Sequence, residues 1–119
     1  MRALWLLLAV ALIGGVLHFA NRSAGAKLAE HDPRNGTGDN GIVMLYADWC
    51  GYCRKQRADF KRASVKYQAL NIDSPEGQAA MQALGARGVP VTVVGQEVVH
   101  GYNTARLQEL LSPQGYRVY

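Results

Sequence analysis

Two cysteines, Cys50 and Cys53, are the residues of this sequence whose type and spacing could support chemistry. They stand between an apolar, β-favouring run at 42–47 and a segment with helical periodicity. The unpaired N–H groups and the dipole at a helix N-terminus favour negative charge, and they therefore activate a thiol placed there. This pattern predicts that Cys50 acts as a thiolate nucleophile. Cys53, one turn later on the same helical face and more buried, would then resolve the mixed disulfide.

Two other roles for the cysteine pair have to be weighed. An inert disulfide or a pair of core thiols is disfavoured, because there are no other cysteines and the pair stands at a strand-to-helix junction. Two cysteines alone cannot complete a four-ligand zinc site, and the candidate additional ligands, His31 and His100, lie in a polar segment and on a predicted strand. We therefore predict no metal site. Because soft thiolates suit Cu(I), a copper carrier is kept as a less favoured alternative.

The composition of the chain limits what can surround this pair. A length of 119 residues suits a single domain with one hydrophobic core. Hydrophobic residues at 49% and charged residues at 18% are typical of a globular rather than a disordered protein. Two cysteines are too few for a disulfide-rich scaffold.

The first 26 residues have the pattern of an export segment. An uninterrupted apolar run at 4–17 follows Arg2, and residues 3–20 just reach the lower length limit for a membrane span. The small residues at 24–26 would suit a signal peptidase. A cleaved signal peptide and a retained membrane signal-anchor both fit this pattern. In either case the rest of the chain is expected to be extracytoplasmic, and periplasmic if the source is Gram-negative.

Residues 27–40 are polar, contain one proline and two glycines and have no apolar period, so they are predicted to be a flexible linker. The folded domain is assigned to residues 41–119. The whole chain has a formal charge of +4, but setting aside residues 1–26 removes Arg2 and Arg22. Eleven basic residues then stand against nine acidic ones, a net charge of +2, which argues against nucleic acid as a partner.

The domain is predicted to follow the order βαβαββα. A β-α-β beginning requires a parallel strand pair with a right-handed crossover, and the hairpin that follows adds an antiparallel edge. The predicted fold class is therefore α/β, with a mixed four-stranded sheet flanked by helices. The predicted strands are 42–47, 67–72, 89–94 and 97–100, and the predicted helices run from the cysteines to about Lys66, from Pro75 to Leu84, and from Asn103 or Thr104 to Leu111.

Two segments of the sequence carry a resemblance to a known superfamily. The segment 46–55, YADWCGYCRK, resembles the active-site segment of thioredoxins, whose motif is Trp-Cys-Gly-x-Cys. The segment 88–91, GVPV, resembles the cis-proline loop that faces this motif in the thioredoxin superfamily. The short element order and the pair Gly101-Tyr102 resemble glutaredoxins. The resemblance covers about residues 41–111 and implies a thioredoxin-like fold of glutaredoxin size.

The same resemblance implies roles for individual residues. Cys50 would be the nucleophile and Cys53 the resolving thiol. The Val89-Pro90 bond would be cis, and the Val89 backbone would pair with the bound substrate chain. Trp49 would contact partners and Tyr52 would shape the groove beside them. The candidate substrate-binding residues are therefore Trp49, Tyr52, Val89 and Pro90.

The sequence also departs from both families. Thioredoxins have a buried aspartate, a proton acceptor, six residues before the first cysteine, where this chain has Met44. Another group therefore has to accept the proton of the Cys53 thiol. Glutaredoxins usually have a lysine or arginine three residues before the first cysteine for the glutathione carboxylate, where this chain has Ala47. Their acidic residue after the glycine pair is replaced by Asn103 and Thr104. These differences argue against a specific glutathione site.

Together these features predict an exported thiol–disulfide oxidoreductase, and more specifically a protein disulfide reductase. Glutathione-dependent glutaredoxin activity is the main alternative. The redox-active Cys50–Cys53 disulfide needs no cofactor, although glutathione remains possible as a co-substrate. Expected partners are protein thiols and disulfides, a redox-recycling partner and, if residues 3–20 are retained, a membrane. We expect the protein to be a monomer.

Overall fold

A computed structural model of the chain describes residues 28–119. After a one-turn helix, the chain follows the order β1-α2-β2-α3-β3-β4-α4, which confirms the predicted βαβαββα order. A 3-10 turn at Ser112–Gln114 follows the last helix. The strands are β1 (Ile42–Tyr46), β2 (Gln68–Asn71), β3 (Val91–Val94) and β4 (Glu97–His100), and the helices are α1 (Arg34–Thr37), α2 (Gly51–Arg62), α3 (Pro75–Leu84) and α4 (Thr104–Leu111).

The four strands form one mixed sheet in the order β2-β1-β3-β4. Strand β1 pairs in parallel with β2, while β1 with β3 and β3 with β4 are antiparallel pairs. Met44, at the centre of the sheet, lies opposite Ala69 on one side and Thr92 on the other. This topology confirms the prediction of a mixed sheet, with β1 and β3 inside and β2 and β4 at the edges.

Both faces of the central strand β1 are covered, which explains why its sequence is a continuous apolar run. Successive side chains point to opposite faces, so Ile42 and Met44 join one hydrophobic cluster and Val43 and Leu45 join the other. The first cluster contains α2 and α4 residues, and the second contains α3 residues. The helix residues involved are Cys53, Phe60, Leu107 and Leu111 in the first cluster, and Ala80, Met81 and Leu84 in the second.

Helix α2 ends at Arg62, four residues earlier than predicted. Ser64 takes a left-handed conformation with φ of 57°, and the Val65 N–H donates a hydrogen bond back to the Phe60 carbonyl at 2.9 Å. This six-to-one bond is a helix-ending arrangement that occupies a terminal carbonyl group and turns the chain. The turn buries the Val65 side chain in the core. This burial stabilises the fold through tertiary contacts, which helical periodicity alone does not predict.

The predicted linker contains the short helix α1, which contacts the β3–β4 turn. The Thr37 hydroxyl donates a hydrogen bond to the Gly95 carbonyl, and the Gln96 side-chain amide donates one to the Arg34 carbonyl at 3.0 Å. Gly95 has φ of 59°, and a side chain there would collide with the Asp39 carbonyl. These contacts join residues distant in sequence, so the polar composition of the segment did not predict the helix. Flexibility of the whole segment 27–40 stays a prediction.

The predicted signal peptide or signal-anchor, residues 1–26, lies outside the described residues. Within residues 28–119, no helix is both long enough and apolar enough to cross a membrane. Export, cleavage and anchoring therefore stay predictions from the sequence.

Candidate active site

The two cysteines lie at the N-terminus of α2 and form a disulfide. Cys50 is the N-cap residue, and its Cα lies 5.2 Å from that of Cys53. The Cys53 backbone N–H donates a hydrogen bond to the Cys50 sulfur at 3.1 Å. The same N–H would point at a Cys50 thiolate in the reduced protein, where charge makes such a bond stronger. The geometry therefore favours negative charge on Cys50, as the position at a helix start predicted.

Burial distinguishes the two sulfur-bearing residues. Cys50 retains 7% of its surface exposed, whereas Cys53 is completely buried against the sheet. A partner sulfur can approach only the residue that has accessible surface, and that residue is Cys50. Cys53 is placed on the interior side of Cys50, where it can attack the Cys50 sulfur of a mixed disulfide.

The loop before β3 faces the cysteine pair. The Val89-Pro90 peptide bond is cis, and the Val89 carbonyl oxygen lies 3.7 Å from the Cys50 sulfur. Pro90 is buried, and its carbonyl accepts a hydrogen bond from the Gly101 N–H at 2.8 Å, which ties the loop to the end of β4. The structure thus brings Val89 beside Cys50, 39 positions away in sequence. The N–H of Val89 donates no hydrogen bond within the described part of the chain.

The two aromatic residues of the motif are exposed around the cysteines. Trp49 has 66% and Tyr52 has 65% of its surface accessible. The ring of Tyr52 stacks on that of Tyr102 with centroids 5.7 Å apart, and Tyr102 in turn meets Tyr119 edge to face at 6.1 Å. Both motif aromatics are thus available to a partner beside Cys50. The ring stack extends this aromatic surface to the C-terminal residue, which the sequence pattern did not predict.

A buried carboxylate holds the base of this ring stack in place. The Tyr102 hydroxyl donates a hydrogen bond to Asp59 on α2, and Arg62 forms an ion pair with the same carboxylate at 3.2 Å. Burial acts to raise the pKa of Asp59, but the hydrogen bonds from Tyr102 and Arg62, together with the nearby Tyr119 hydroxyl, outweigh it and hold that pKa below its usual range. Burial, followed by the bond to Asp59, raises the pKa of Tyr102.

We expect the Asp59 carboxylate to make stability depend on acid pH. Because its folded pKa lies below the unfolded value of about 3.9, the stabilisation is fully present above that value and is lost as the pH falls through the folded pKa. Asp59→Asn should lower the free energy of unfolding by about 1–3 kcal/mol at pH 7 and flatten its decline between pH 5 and pH 3. Urea denaturation across this pH range measures both effects. An Asp59→Asn protein that keeps the full wild-type decline would contradict the assignment, and Asp73→Asn, at an exposed aspartate, is the control.

Gln56 and Thr92 form a polar pair in the core, with Gln56 one helical turn from Cys53. Met44, at the position where thioredoxins have an aspartate, is completely buried and carries no titratable group. Its cross-strand partner Thr92 accepts a hydrogen bond from the side-chain amide of Gln56 at 2.6 Å. Both partners are fully buried, and the Gln56 Oε1 atom has no hydrogen-bond partner among the described residues. Gln56 lies one turn after Cys53 on the same helix.

Replacing only Thr92 should lower the free energy of unfolding more than replacing both Thr92 and Gln56. Thr92→Val removes the acceptor of the buried Gln56 amide and should destabilise the protein by about 1–3 kcal/mol, because a buried donor is left unpaired. Adding Gln56→Leu removes that donor together with the orphaned Oε1, so the double variant should recover most of the loss. Urea denaturation of the four proteins of this double-mutant cycle measures the coupling. Strictly additive losses would contradict a direct interaction.

The remaining candidate ligand positions are not gathered at the cysteines. His31 and His100 are both exposed, the first before α1 and the second on the edge strand β4. Within residues 28–119, no group of three or more histidine, cysteine, aspartate or glutamate side chains could hold a metal ion. Ala47 is buried, and the Asn103 side chain accepts the N-terminal hydrogen bond of α4. Neither position presents a charged side chain.

One family model and a set of solved structures are similar to this chain. The family model described as Glutaredoxin matches residues 42–99, a span that begins with β1 and includes both cysteines and the cis-proline loop. No curated protein shows a significant match to the chain.

Solved structures of glutaredoxins and related redoxins share the fold. A glutaredoxin from Archaeoglobus fulgidus is 25% identical, with 72% of this chain and 97% of that chain covered and a TM-score of 0.55. The buckwheat glutaredoxin in its glutathione complex is also 25% identical, with 67% and 80% covered and a TM-score of 0.55. The glutaredoxin-like NrdH-redoxin from Escherichia coli, described as having a thioredoxin-like activity profile, is 23% identical, with 58% and 92% covered and a TM-score of 0.53.

Proposed function

We propose that this chain, which resembles glutaredoxins over residues 42–99 and shares the fold of the Archaeoglobus fulgidus glutaredoxin, is an exported thiol–disulfide oxidoreductase that reduces disulfides in protein substrates. The observation that carries the proposal is the difference in solvent exposure between the two cysteines. Cys50 has accessible surface and receives the Cys53 N–H, whereas Cys53 is completely buried behind it. This is the arrangement that two-step exchange requires, with one sulfur for the partner and one for internal resolution.

The proposed reaction transfers two electrons from the dithiol to the substrate. The Cys50 thiolate attacks one sulfur of the substrate disulfide, forms a mixed disulfide and releases the other substrate sulfur as a thiolate, which takes up a proton. Cys53 then loses its proton and attacks the Cys50 sulfur, which releases the second substrate thiol and leaves the Cys50–Cys53 disulfide. A dithiol of the recycling partner has to reduce this disulfide again.

The surroundings of Cys50 support an extended protein chain as the substrate. The Val89 N–H has no partner within residues 28–119 and can pair with a backbone carbonyl of the substrate beside the reacting sulfur. Trp49 and Tyr52 offer exposed rings to the residues that flank the substrate cysteine. Pro90 supports the loop that presents Val89, and its own carbonyl is occupied by Gly101.

A glutathione-dependent reaction is the second candidate, and the match of residues 42–99 to the glutaredoxin family favours it. The buckwheat relative is described in complex with glutathione. Against it stands the buried Ala47 at the position where glutaredoxins usually carry a basic residue. A copper-carrier role has less support, because it gives no function to the cis-proline loop that faces the cysteines.

The proposed location is outside the cytoplasm, periplasmic in a Gram-negative source, with the domain either released or anchored by residues 3–20. The support is the apolar run after Arg2. A fusion of residues 1–40 to a reporter that is active only outside the cytoplasm tests this location. Reporter activity that is lost when residues 3–20 are deleted would support the extracytoplasmic location. A fusion that is stably expressed but inactive would contradict that location.

A redox titration together with two substrates tests the reaction. The Cys50–Cys53 pair is equilibrated with glutathione and dithiothreitol buffers, and turnover is measured with insulin and with a mixed disulfide between glutathione and a cysteine peptide. A reducing potential near that of thioredoxin, about −270 mV, with faster insulin turnover would support the proposal. A strongly oxidising potential would reverse the direction, and saturable turnover of the glutathione substrate alone would favour the glutaredoxin alternative.

A further inference from the structure

We infer that a basic groove along α2 binds an acidic segment, rich in aspartate and glutamate, of the protein that exchanges disulfides with Cys50. The inference rests on the proposed function, because it assigns a partner class to the same reaction. The α2 basic groove has a volume of about 590 Å³ and is lined by Arg54, Arg57, Ala58, Lys61, Ser64, Val65 and Tyr67.

The three cations of the α2 basic groove form a line. Arg54, Arg57 and Lys61 are spaced by three and four positions, so they lie on one face of the helix. At a rise of about 1.5 Å per residue, the line extends for about 10 Å. An extended chain advances about 3.3 Å per residue, so three to four residues of a partner segment would span it. Such a length suits a short acidic stretch better than a single small anion.

Two of these cations are held in place before any partner arrives. The Arg57 guanidinium lies over the ring of Tyr46, 4.3 Å from its centroid. Arg54 donates a hydrogen bond from Nη1 to the Asp48 carbonyl at 2.7 Å. Side chains ordered in advance lose less conformational entropy on binding, so the free-energy cost of engaging an acidic segment is reduced.

None of the groove cations is neutralised within the described residues. The ion pairs in residues 28–119 involve Arg34, Arg62 and Arg106 and none of the three groove cations. No carboxylate side chain lines the groove. Three like charges along one helix face produce a positive potential that attracts acidic chains and steers their approach.

The α2 basic groove begins at the active site. Arg54 directly follows Cys53, and its Nη2 atom lies 3.8 Å from where a side-chain carbon at Gly51 would stand. Gly51 itself lies between the two cysteines. A segment seated along the groove therefore reaches the loop that carries Cys50, so its own cysteine could be presented to that sulfur.

Peptide binding to the full-length protein tests the inference without any redox step. Two fluorescein-labelled decapeptides without cysteine, one with four aspartates and one with asparagine at those positions, are titrated in fluorescence anisotropy at low salt. We expect the aspartate peptide to bind about tenfold more tightly and to lose most of this advantage at 200 mM salt. Arg57→Gln/Lys61→Gln should abolish the preference, whereas Arg117→Gln, which removes an exposed cation outside the groove, should retain it.

Three outcomes would overturn the inference. They are equal binding of the two peptides, an aspartate preference that survives in the double variant, and tighter binding of the wild type to vesicles of anionic lipid through Arg57 and Lys61 than to the peptide. The variant Cys50→Ser should bind the aspartate peptide like the wild type, because the assay needs no reacting sulfur. Wild-type binding of this peptide without turnover of any disulfide substrate would contradict the proposed function and leave the groove assignment standing.

Discussion

Replacing Cys50 with serine should lower the rate of disulfide exchange by about a thousandfold or more, to the uncatalysed background. A serine hydroxyl does not ionise near neutral pH and cannot accept the sulfur of a substrate. The Cys53 thiol that remains is completely buried and cannot be reached by a partner. Insulin reduction, measured as the rate above that of dithiothreitol alone, provides the readout. Turnover that is unchanged in Cys50→Ser would refute the nucleophile assignment.

The variant Cys53→Ser is the matched control, because it should block a different step. Cys50 would still attack the substrate, but no internal thiol could resolve the mixed disulfide, so the complex should accumulate. Non-reducing gel electrophoresis after acid quenching detects this species, and added dithiothreitol should release it. Trapping by Cys50→Ser instead of Cys53→Ser would mean that the roles of the two cysteines are reversed.

Phe60→Ala should have the largest effect on stability among single changes in α2. The Phe60 side chain is completely buried, belongs to the same hydrophobic cluster as Cys53 and meets the Tyr67 ring edge to face at 5.2 Å. Truncating a buried phenylalanine removes its transfer free energy and leaves a cavity, at a cost of about 3–5 kcal/mol. Urea denaturation at constant pH, with the exposed Gln78→Ala as a control on α3, measures the loss.

The position of Phe60 extends this prediction to activity. Helix α2 carries both cysteines at one end and Phe60 near the other. The variant should therefore lose exchange activity on heating together with its tertiary structure, at a midpoint lower than that of the wild type by more than about 10 °C. A loss of stability below about 1 kcal/mol would mean that Phe60 does not anchor α2 to the sheet.

Local patterns in the sequence were sufficient for the order of the elements and for the position of the reactive pair. The apolar run at 42–47 indicates a buried strand, and the predicted helix starts at Pro75 and at Asn103 or Thr104 agree with the observed N-caps Ser74 and Asn103. The start of α2 after Cys50 follows from the same local rules. Periodicity and capping act over a few residues, so the sequence contains them directly.

The ends of elements were predicted less well, because tertiary contacts decide them. Helix α2 stops at Arg62, since the left-handed Ser64 turns Val65 into the core. Strand β3 begins at Val91 rather than Val89, because residues 89–90 form the loop beside Cys50. In each case a residue that the sequence pattern assigned to the helix or strand instead makes a contact with a distant part of the chain: Val65 packs in the core, and Val89 lies beside Cys50.

The sequence by itself therefore determined which residues can react and on which kind of element they lie. Only the tertiary structure decided which residues surround them. The contact of Cys50 with Val89 joins positions 39 apart, and the hydrogen bond between Gln56 and Thr92 joins positions 36 apart. Periodicity shows which face of a helix or strand is buried but does not identify its partner. The partner depends on the order of strands in the sheet, which places β3 beside β1 and so brings these residues together.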